Sequence, residues 1–442
     1  MKQQPSNSVI NKLSLADKAA HNWYRFVLSF PPHLVRAYLE RFQVTTEQRV
    51  LDPFCGTGTT IVECKKLGIA SIGIEASALA HFAASVKIDW LPNPELLLQA
   101  AQQIETHVLA LFAQQGIEDD PLFRTERQNN DTVSTSLRTL DAETAALLLK
   151  NAISPLPLHK VLTLHDCLQH HKGKPYYRHQ LLALANALKC SISNLHFGPE
   201  VGVGVVKDDA PVVAAWLDEV YRMTADLRQL ADRHAIPATI HHADARDLSS
   251  FIAPQSIDAV ITSPPYPNEK DYTRITRLEA VLLGFITSKA DLQGLKRSLI
   301  RSNTRGVYKD DDDDRWVEPY PEIVRIAEEI ETRRIAMGKT SGFERLYGRV
   351  TKLYFGGMIR HLASLRTVLR PGAQLGYVVG DQASYLRVMI RTGQILAAIA
   401  ESLGYEVVNI DLFRTRLSTA TKAQLREEVV HLRWHGNSKG LK

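Results

Sequence analysis

From Arg49 onward, apolar and polar positions alternate regularly enough to predict elements. Arg49-Val50-Leu51-Asp52-Pro53-Phe54 reads as a short buried strand and Cys55-Gly56-Thr57-Gly58 as a tight glycine turn. Thr59 to Leu67 then has helical spacing that stops at Gly68, and Ala70 to Glu75 forms a second strand ending in an acid. Strand, glycine turn, helix, strand and acid open a doubly wound α/β sheet. After Trp90 the pattern turns mainly helical, with Ala/Leu/Gln-rich stretches around 96–115 and 140–150; Arg124 to Arg138 reads as a polar loop and Pro155-Leu156-Pro157 as a break. Strand patterns resume at Ala238–Asp244 and at Ile257–Thr262, the latter running into Ser263-Pro264-Pro265-Tyr266. An irregular stretch, 287–345, precedes an amphipathic helix near 346–369; Pro371-Gly372 turns into a strand over 373–380, and helix 392–403 with strands Glu406–Phe413 and Glu428–Trp434 completes the sheet. The pattern predicts one α/β core (19–90, 238–286 and 346–434) carrying two insertions, a helical one over 91–237 and an irregular one over 287–345.

Composition narrows the classes without naming one. The 442 residues, 45% hydrophobic and 23% charged, fit a globular chain rather than a disordered or fibrous one. No apolar run reaches the ~18 residues of a membrane span, and Met1 to Asp17 shows no signal-peptide pattern, so a cytoplasmic protein without a membrane partner is expected. Cys55, Cys64, Cys167 and Cys190 have neither metal-ligand spacing nor disulfide density, which predicts no metal site. The 53 Lys and Arg against 48 Asp and Glu leave +5, so any contact with a polyanion must come from local patches.

Chemistry concentrates at two places. Gly56 and Gly58 lack a Cβ and let a ligand approach the backbone, although such a turn can also be plain strand-to-helix geometry. Glu75, at the end of the next strand, stands where an acid accepts hydrogen bonds from a ribose diol, which points to an adenosine-containing cofactor. Ser263-Pro264-Pro265-Tyr266 follows an apolar strand, where α/β folds place active residues, and its two prolines force the chain out of the sheet in a stiff, extended form. Standing alone, that tetrad could be a rigid loop or a polyproline recognition patch.

Taken together, Asp-Pro-Phe-Cys-Gly-Thr-Gly-Thr-Thr at 52–60, the acid Glu75 and the Ser-Pro-Pro-Tyr tetrad resemble the S-adenosylmethionine-dependent amino-methyltransferases of DNA, in particular their N4-cytosine group. The resemblance covers roughly residues 20–90 and 238–434. It implies a class I, Rossmann-like α/β methyltransferase sheet with S-adenosyl-L-methionine as cofactor, bound by Asp52, Pro53, Phe54, Gly56, Gly58, Thr59 and the ribose acid Glu75. Asp244 falls where the family's acid meets the adenine amino group, with a turn or cap role as the alternative. Phe30, in a segment similar to the motif that closes over the methionine moiety, is either a cofactor contact or a core anchor. For catalysis, the resemblance gives the Ser263 hydroxyl and the Pro264 carbonyl as acceptors for the target amino group, with Pro265 stiffening the loop and the Tyr266 ring stacking on the base.

A base in duplex DNA must be flipped out to reach such a loop, which requires contacts elsewhere on the double strand. Arg297, Arg301 and Arg305 lie in a basic stretch, 289–309, that suits phosphate contacts, with Arg274 near a further phosphate. A basic loop paired with the aspartates 310–314 is the alternative reading of that stretch. His170 to Arg178 and Asn194 to Glu200, in the helical insertion, are further candidate surfaces. The expected activity is site-specific methylation of cytosine N4 in double-stranded DNA, within a restriction system whose cognate endonuclease is a separate chain. An N6-adenine enzyme, an RNA guanine-N2 enzyme and a non-catalytic DNA-binding subunit are the alternatives.

Overall fold

The computed structural model describes residues 13–26, 29–120, 136–197, 201–268, 270–417 and 424–436. Residues 124–135 of the expected polar loop and 198–200 of the Asn194–Glu200 segment lie outside them. Seven strands form one sheet: β1 (Arg49–Asp52), β2 (Ala70–Glu75), β5 (Ala238–His242), β6 (Ile257–Thr262), β7 (Leu369–Gly380), β8 (Glu406–Leu417) and β9 (Gln424–Arg433). Their order is β5-β2-β1-β6-β7-β9-β8. The first five are parallel, and β9 runs antiparallel to both β7 and β8. Strand order reverses between β1 and β6, so the crevice beyond their carboxyl ends is where an α/β sheet of this kind binds ligands. This is the class I methyltransferase arrangement that the pattern and resemblance predict.

Both faces of the sheet are covered, which explains the nearly continuous apolar runs. Along β7, Leu375, Tyr377 and Val379 enter one core with helices Tyr347–Leu365 and Thr392–Ser402, while Val378 enters the other with helix Pro32–Arg41. The helical insertion consists of helices Pro94–Gln114, Pro155–Gln169, Tyr177–Ala187 and Val212–Leu230 plus a small antiparallel hairpin, β3 (Leu195–Phe197) and β4 (Val201–Val203). Its apolar residues form one cluster with Ile61 and Leu79 of the helices behind β1 and β2, so it extends the catalytic core. Residues near the amino end are clamped between the two: Trp23 Nε1 donates to Asp226 at 2.7 Å and Tyr24 Oη to Glu279 at 3.0 Å.

Several local expectations are corrected. Pro155 begins a helix instead of breaking the chain, because proline is tolerated in the first turn, where N–H groups lack partners anyway. Within 140–150 the helix is one turn, Ala142–Ala145. β7 runs through Pro371-Gly372: Gly372 takes φ +90°, and the register with β6 slips from Ile257–Leu369 to Ala259–Gln374, so the extra residues bulge out. The stretch 287–345 is not irregular. It holds helix Lys289–Ser298, started by a Ser288/Asp291 capping box, and helix Pro321–Ala336, which buries Ile323, Ile326, Ala327 and Ile330.

The aspartate run fastens this second insertion. Asp310 pairs with Arg297, Asp311 with Arg301, Asp313 with both Arg246 and Arg360, and Asp314 with Arg349. Asp313 is buried directly over Gly356, where a Cβ would drive into the Asp313 carbonyl oxygen. Gly356→Ala should therefore destabilise the protein by about 3 kcal/mol through forced overpacking. Gly294→Ala, in helix Lys289–Ser298 with open space around it, should stabilise by about 0.5–1 kcal/mol. Urea unfolding of the two variants checks both signs.

Candidate active site

At the carboxyl edge of the sheet, the glycine turn after β1 and the tetrad after β6 open onto one cleft of about 740 Å³. This volume lies within the range of ordinary ligand pockets. Phe30, Pro53, Phe54, Gly56 and Thr59 line its cofactor end together with Glu75 and Asp244. Ser263, Pro264, Pro265 and Tyr266 line the other end. Residues 180 or more apart in the chain thus meet because β1 and β6 are neighbours.

Asp52 and Gly58 act from beneath the cleft and are not among its lining residues. Asp52 is fully buried; its Oδ1 accepts from Thr262 Oγ1 at 2.6 Å and from the Phe54 N–H at 3.1 Å. Burial pushes its carboxyl up to about 6 against these hydrogen bonds. Gly58, at φ +82°, starts helix Thr59–Lys66 and would place a Cβ 3.2 Å from Ala84 Cβ. Below the same turn, the buried Lys87 donates to the Thr57 carbonyl at 2.7 Å, and burial lowers its ammonium to about 7.

Glu75 ties the turn to β2: its Oε2 accepts from the Gly56 N–H at 2.9 Å and its Oε1 from the Ser77 N–H at 2.7 Å. Burial raises it to about 7. With two oxygens and about four lone-pair sites, the carboxylate keeps acceptor capacity toward the cleft after these two bonds. Asp244 also faces the cleft, but Arg246 grips it through Nε at 3.0 Å and Nη2 at 2.6 Å, and its Oδ1 accepts from the Arg246 N–H in a local turn. The turn role considered for Asp244 is therefore present alongside its place in the cleft. A glycine turn open to a ligand, the Glu75 carboxylate with acceptor capacity to spare and aromatic Phe30 and Phe54 lining the same end fit S-adenosylmethionine.

At the other end, the Ser263 hydroxyl donates to the Val378 carbonyl at 3.1 Å. With its proton committed to β7, the oxygen has lone pairs to offer. The Tyr266 ring rests on Gly380, where a Cβ would stand 2.9 Å from Tyr266 Cε2. Burial, with Glu427 next to it, holds the Tyr266 phenol well above its ordinary range. Asp271, Tyr272 and Thr273 line this end, and Arg274, expected near a phosphate, is not among the lining residues. Sequence reasoning missed Gln382, just past the end of β7, Arg414 and Arg416 on β8, and Glu427 on β9, all of which line the cleft. The two-residue spacing of Arg414 and Arg416 on a strand was the available signal.

The expected phosphate contacts divide. Arg301 is buried, with Nε and Nη2 on Asp311 at 2.9 and 2.7 Å and Nη1 on the Lys296 carbonyl at 2.7 Å. Its guanidinium is paired within the fold, although the residue also lines the cleft. Arg297 is held by Asp310 and lies 4.4 Å from the Tyr308 ring, whereas Arg305 is exposed beside Phe343. The pairing of basic stretch and acidic run considered from sequence is thus present at Arg297 and Arg301. Arg301→Ala should cost about 3 kcal/mol of stability by leaving Asp311 buried without its partner. Arg305→Ala should leave unfolding unchanged; if Arg305 meets phosphate, the slope of log affinity for DNA against log salt should fall by about one.

Residues 7–84 match a family model described as DNA methylase, a span that includes the glycine turn and Glu75. The chain is similar to the Type II methyltransferase M.BsoBI of Geobacillus stearothermophilus, 26% identical over 437 residues that cover 92% of this chain and 82% of the relative. It is likewise similar to the Type II methyltransferase M.AvaI of a Nostoc species, 22% identical over 92% of this chain and 83% of that one. A shorter match, 38% identical over 71 residues, covers 16% of this chain and 13% of the Type II methyltransferase M.MjaII of Methanocaldococcus jannaschii. With the glycine turn, Glu75 and the tetrad gathered in one cleft at the switch point of the sheet, the chain is similar to the DNA amino-methyltransferases in fold and site, and its methyl donor is S-adenosylmethionine.

Proposed function

We propose that this DNA methyltransferase acts on the exocyclic N4 of cytosine in duplex DNA, as the modification component of a restriction system with a separate endonuclease. The observation that carries the reading is the Ser263 hydroxyl, oriented by the Val378 carbonyl in the same cleft as the glycine turn. A serine at the head of the tetrad resembles the N4-cytosine group, and the relatives named Type II methyltransferases favour a restriction setting.

The chemistry follows from the amine. Conjugation to the ring leaves the exocyclic nitrogen poorly nucleophilic. Two acceptors fixed on its N–H bonds, the Ser263 Oγ and the Pro264 carbonyl, favour a pyramidal nitrogen and free its lone pair, a preorganised electrostatic effect. Proline φ angles at 264 and 265 keep the acceptors from following the substrate. Tyr266, backed by Gly380, supplies a face on which the flipped base stacks, repaying part of its unstacking cost. Bound S-adenosylmethionine supplies an electrophilic methyl group on a sulfonium, so a neutral amine can attack without a covalent enzyme intermediate. Glu75 would accept from the ribose hydroxyls, and the glycine turn would hold the methionine part.

Nucleoside mass spectrometry of DNA and RNA treated with the protein and labelled cofactor should show N4-methylcytosine in DNA. N6-methyladenine as the sole DNA product would overturn the cytosine assignment, and label confined to RNA the DNA substrate. Ser263→Ala should lower kcat roughly 100- to 1000-fold with cofactor affinity unchanged, as loss of one preorganised hydrogen-bonding group does elsewhere; wild-type turnover would remove Ser263 from the chemistry. Because ribose hydroxyls donate to the ionised form of Glu75, which titrates near 7, cofactor affinity should be full above about pH 8 and fall as pH drops through 7. Calorimetric titration of Glu75→Gln should show weaker binding with that pH dependence flattened.

A further inference from the structure

β7 organises the target end of the cleft in a row. The Ser263 hydroxyl is tied at Val378, and the Tyr266 ring rests on Gly380. Gln382 comes next at the same two-residue interval, about 7 Å beyond Gly380 at the rise of an extended chain. Its backbone is pinned on both sides. The Gln382 N–H donates to the Ile390 carbonyl at 3.0 Å and the Ile390 N–H returns a bond at 2.7 Å, while the preceding Asp381 N–H donates to the Arg426 carbonyl at 2.8 Å. Thr392 Oγ1 further holds the Gly380 carbonyl at 2.9 Å.

The side chain held there is 3% exposed and lines the cleft, yet its Nε2 has no hydrogen-bond partner among the described residues. A buried amide N–H without a partner forfeits its hydration for nothing, and each such group in a native structure calls for a reason. The pinned backbone prevents relief by a small shift of the chain. An acceptor arriving in the cleft relieves it. The glycine turn, Glu75 and Asp244 follow β1, β2 and β5, on the far side of β6, whereas Gln382 lies two residues past the Gly380 that backs Tyr266, so the acceptor belongs to the target.

We propose that Gln382 is a specificity-determining residue whose Nε2 donates to the ring nitrogen next to the exocyclic amino group of the everted base. This rests on the reading that the cleft methylates that amino group. In cytosine the ring nitrogen is N3 and in adenine N1, and both are bare acceptors. Thymine N3 and guanine N1 carry hydrogen, so either base would set donor against donor and leave the amide unsatisfied. Ser263 and Pro264 select an amino group, and Gln382 selects the acceptor beside it, so the pocket rejects the two bases that carry a carbonyl at that edge.

The test uses the full-length protein and a duplex carrying the modified site, mapped by sequencing methylated DNA, in two forms: the natural base, and its deaza analogue with CH in place of that ring nitrogen (3-deazacytosine, or 1-deazaadenine if adenine is the product). Gln382→Ala should lose about tenfold to a hundredfold in kcat/KM on the natural duplex, as for one hydrogen bond to substrate, and nothing on the deaza duplex. Cofactor affinity should stay at the wild-type value. Gln382→Glu, which keeps the shape and removes the donor, should show the same split and serves if the alanine variant folds poorly. Equal losses on the two duplexes, wild-type kcat/KM on the natural one, or loss of cofactor binding in both variants would overturn the assignment. Failure of the wild type to methylate DNA at an amino group would instead overturn the underlying reading, and this inference with it.

Discussion

One buried hydrogen bond joins the two halves of the site. Thr262, the last residue of β6, donates to Asp52, the last residue of β1, in a region with no exposure to solvent. The glycine turn leaves from one of these residues and the Ser-Pro-Pro-Tyr loop from the other. A second bond, from Thr60 Oγ1 to the Ile261 carbonyl at 3.1 Å, repeats the link one step further on. Methyl transfer requires donor and acceptor atoms to meet in line at close range, and misplacement by about 1 Å can cost a hundredfold. The pair of strand ends therefore fixes the quantity to which the reaction is most sensitive. Asp52 is fully buried beneath the cleft.

The core was legible because its signals are local. Strand, turn, helix and acid lie within Arg49 to Glu75, and proline ends β6 where a central strand can no longer donate. What escaped was set by contacts that no short window contains. Gln382, Arg414 and Glu427 reach the cleft only because β8 and β9 fold back beside β7, and the hairpin order of those strands has no local signature. The two helices within 287–345 had readable starts, at Ser288 and Pro321, but a charged stretch between them obscured the pattern.

Charge was the most deceptive signal. Arg297 and Arg301 pair with Asp310 and Asp311 inside the second insertion, while Asp313 and Asp314 fasten it to Arg360 and Arg349 of helix Tyr347–Leu365 and, through Asp313, to Arg246. Arg246 bonds Asp313 and Asp244 at once, so the insertion and the cofactor end of the cleft share a residue. A sequence count cannot distinguish an arginine offered to phosphate from one spent on a buried carboxylate. Burial decides, and only the fold reveals it.

The clamping of Trp23 and Tyr24 has a consequence for how the chain reaches this state. Their partners, Asp226 and Glu279, lie 203 and 255 residues downstream. Contacts of such sequence separation form late, since loop closure must precede them. During synthesis, the glycine turn and its helix emerge early but lack the wall behind them until the insertion and the segment after β6 have left the ribosome. The nascent half-site must persist meanwhile with the apolar faces of Ile61, Leu79 and Val86 uncovered. Transiently exposed apolar surface of this kind is what makes folding intermediates prone to aggregate.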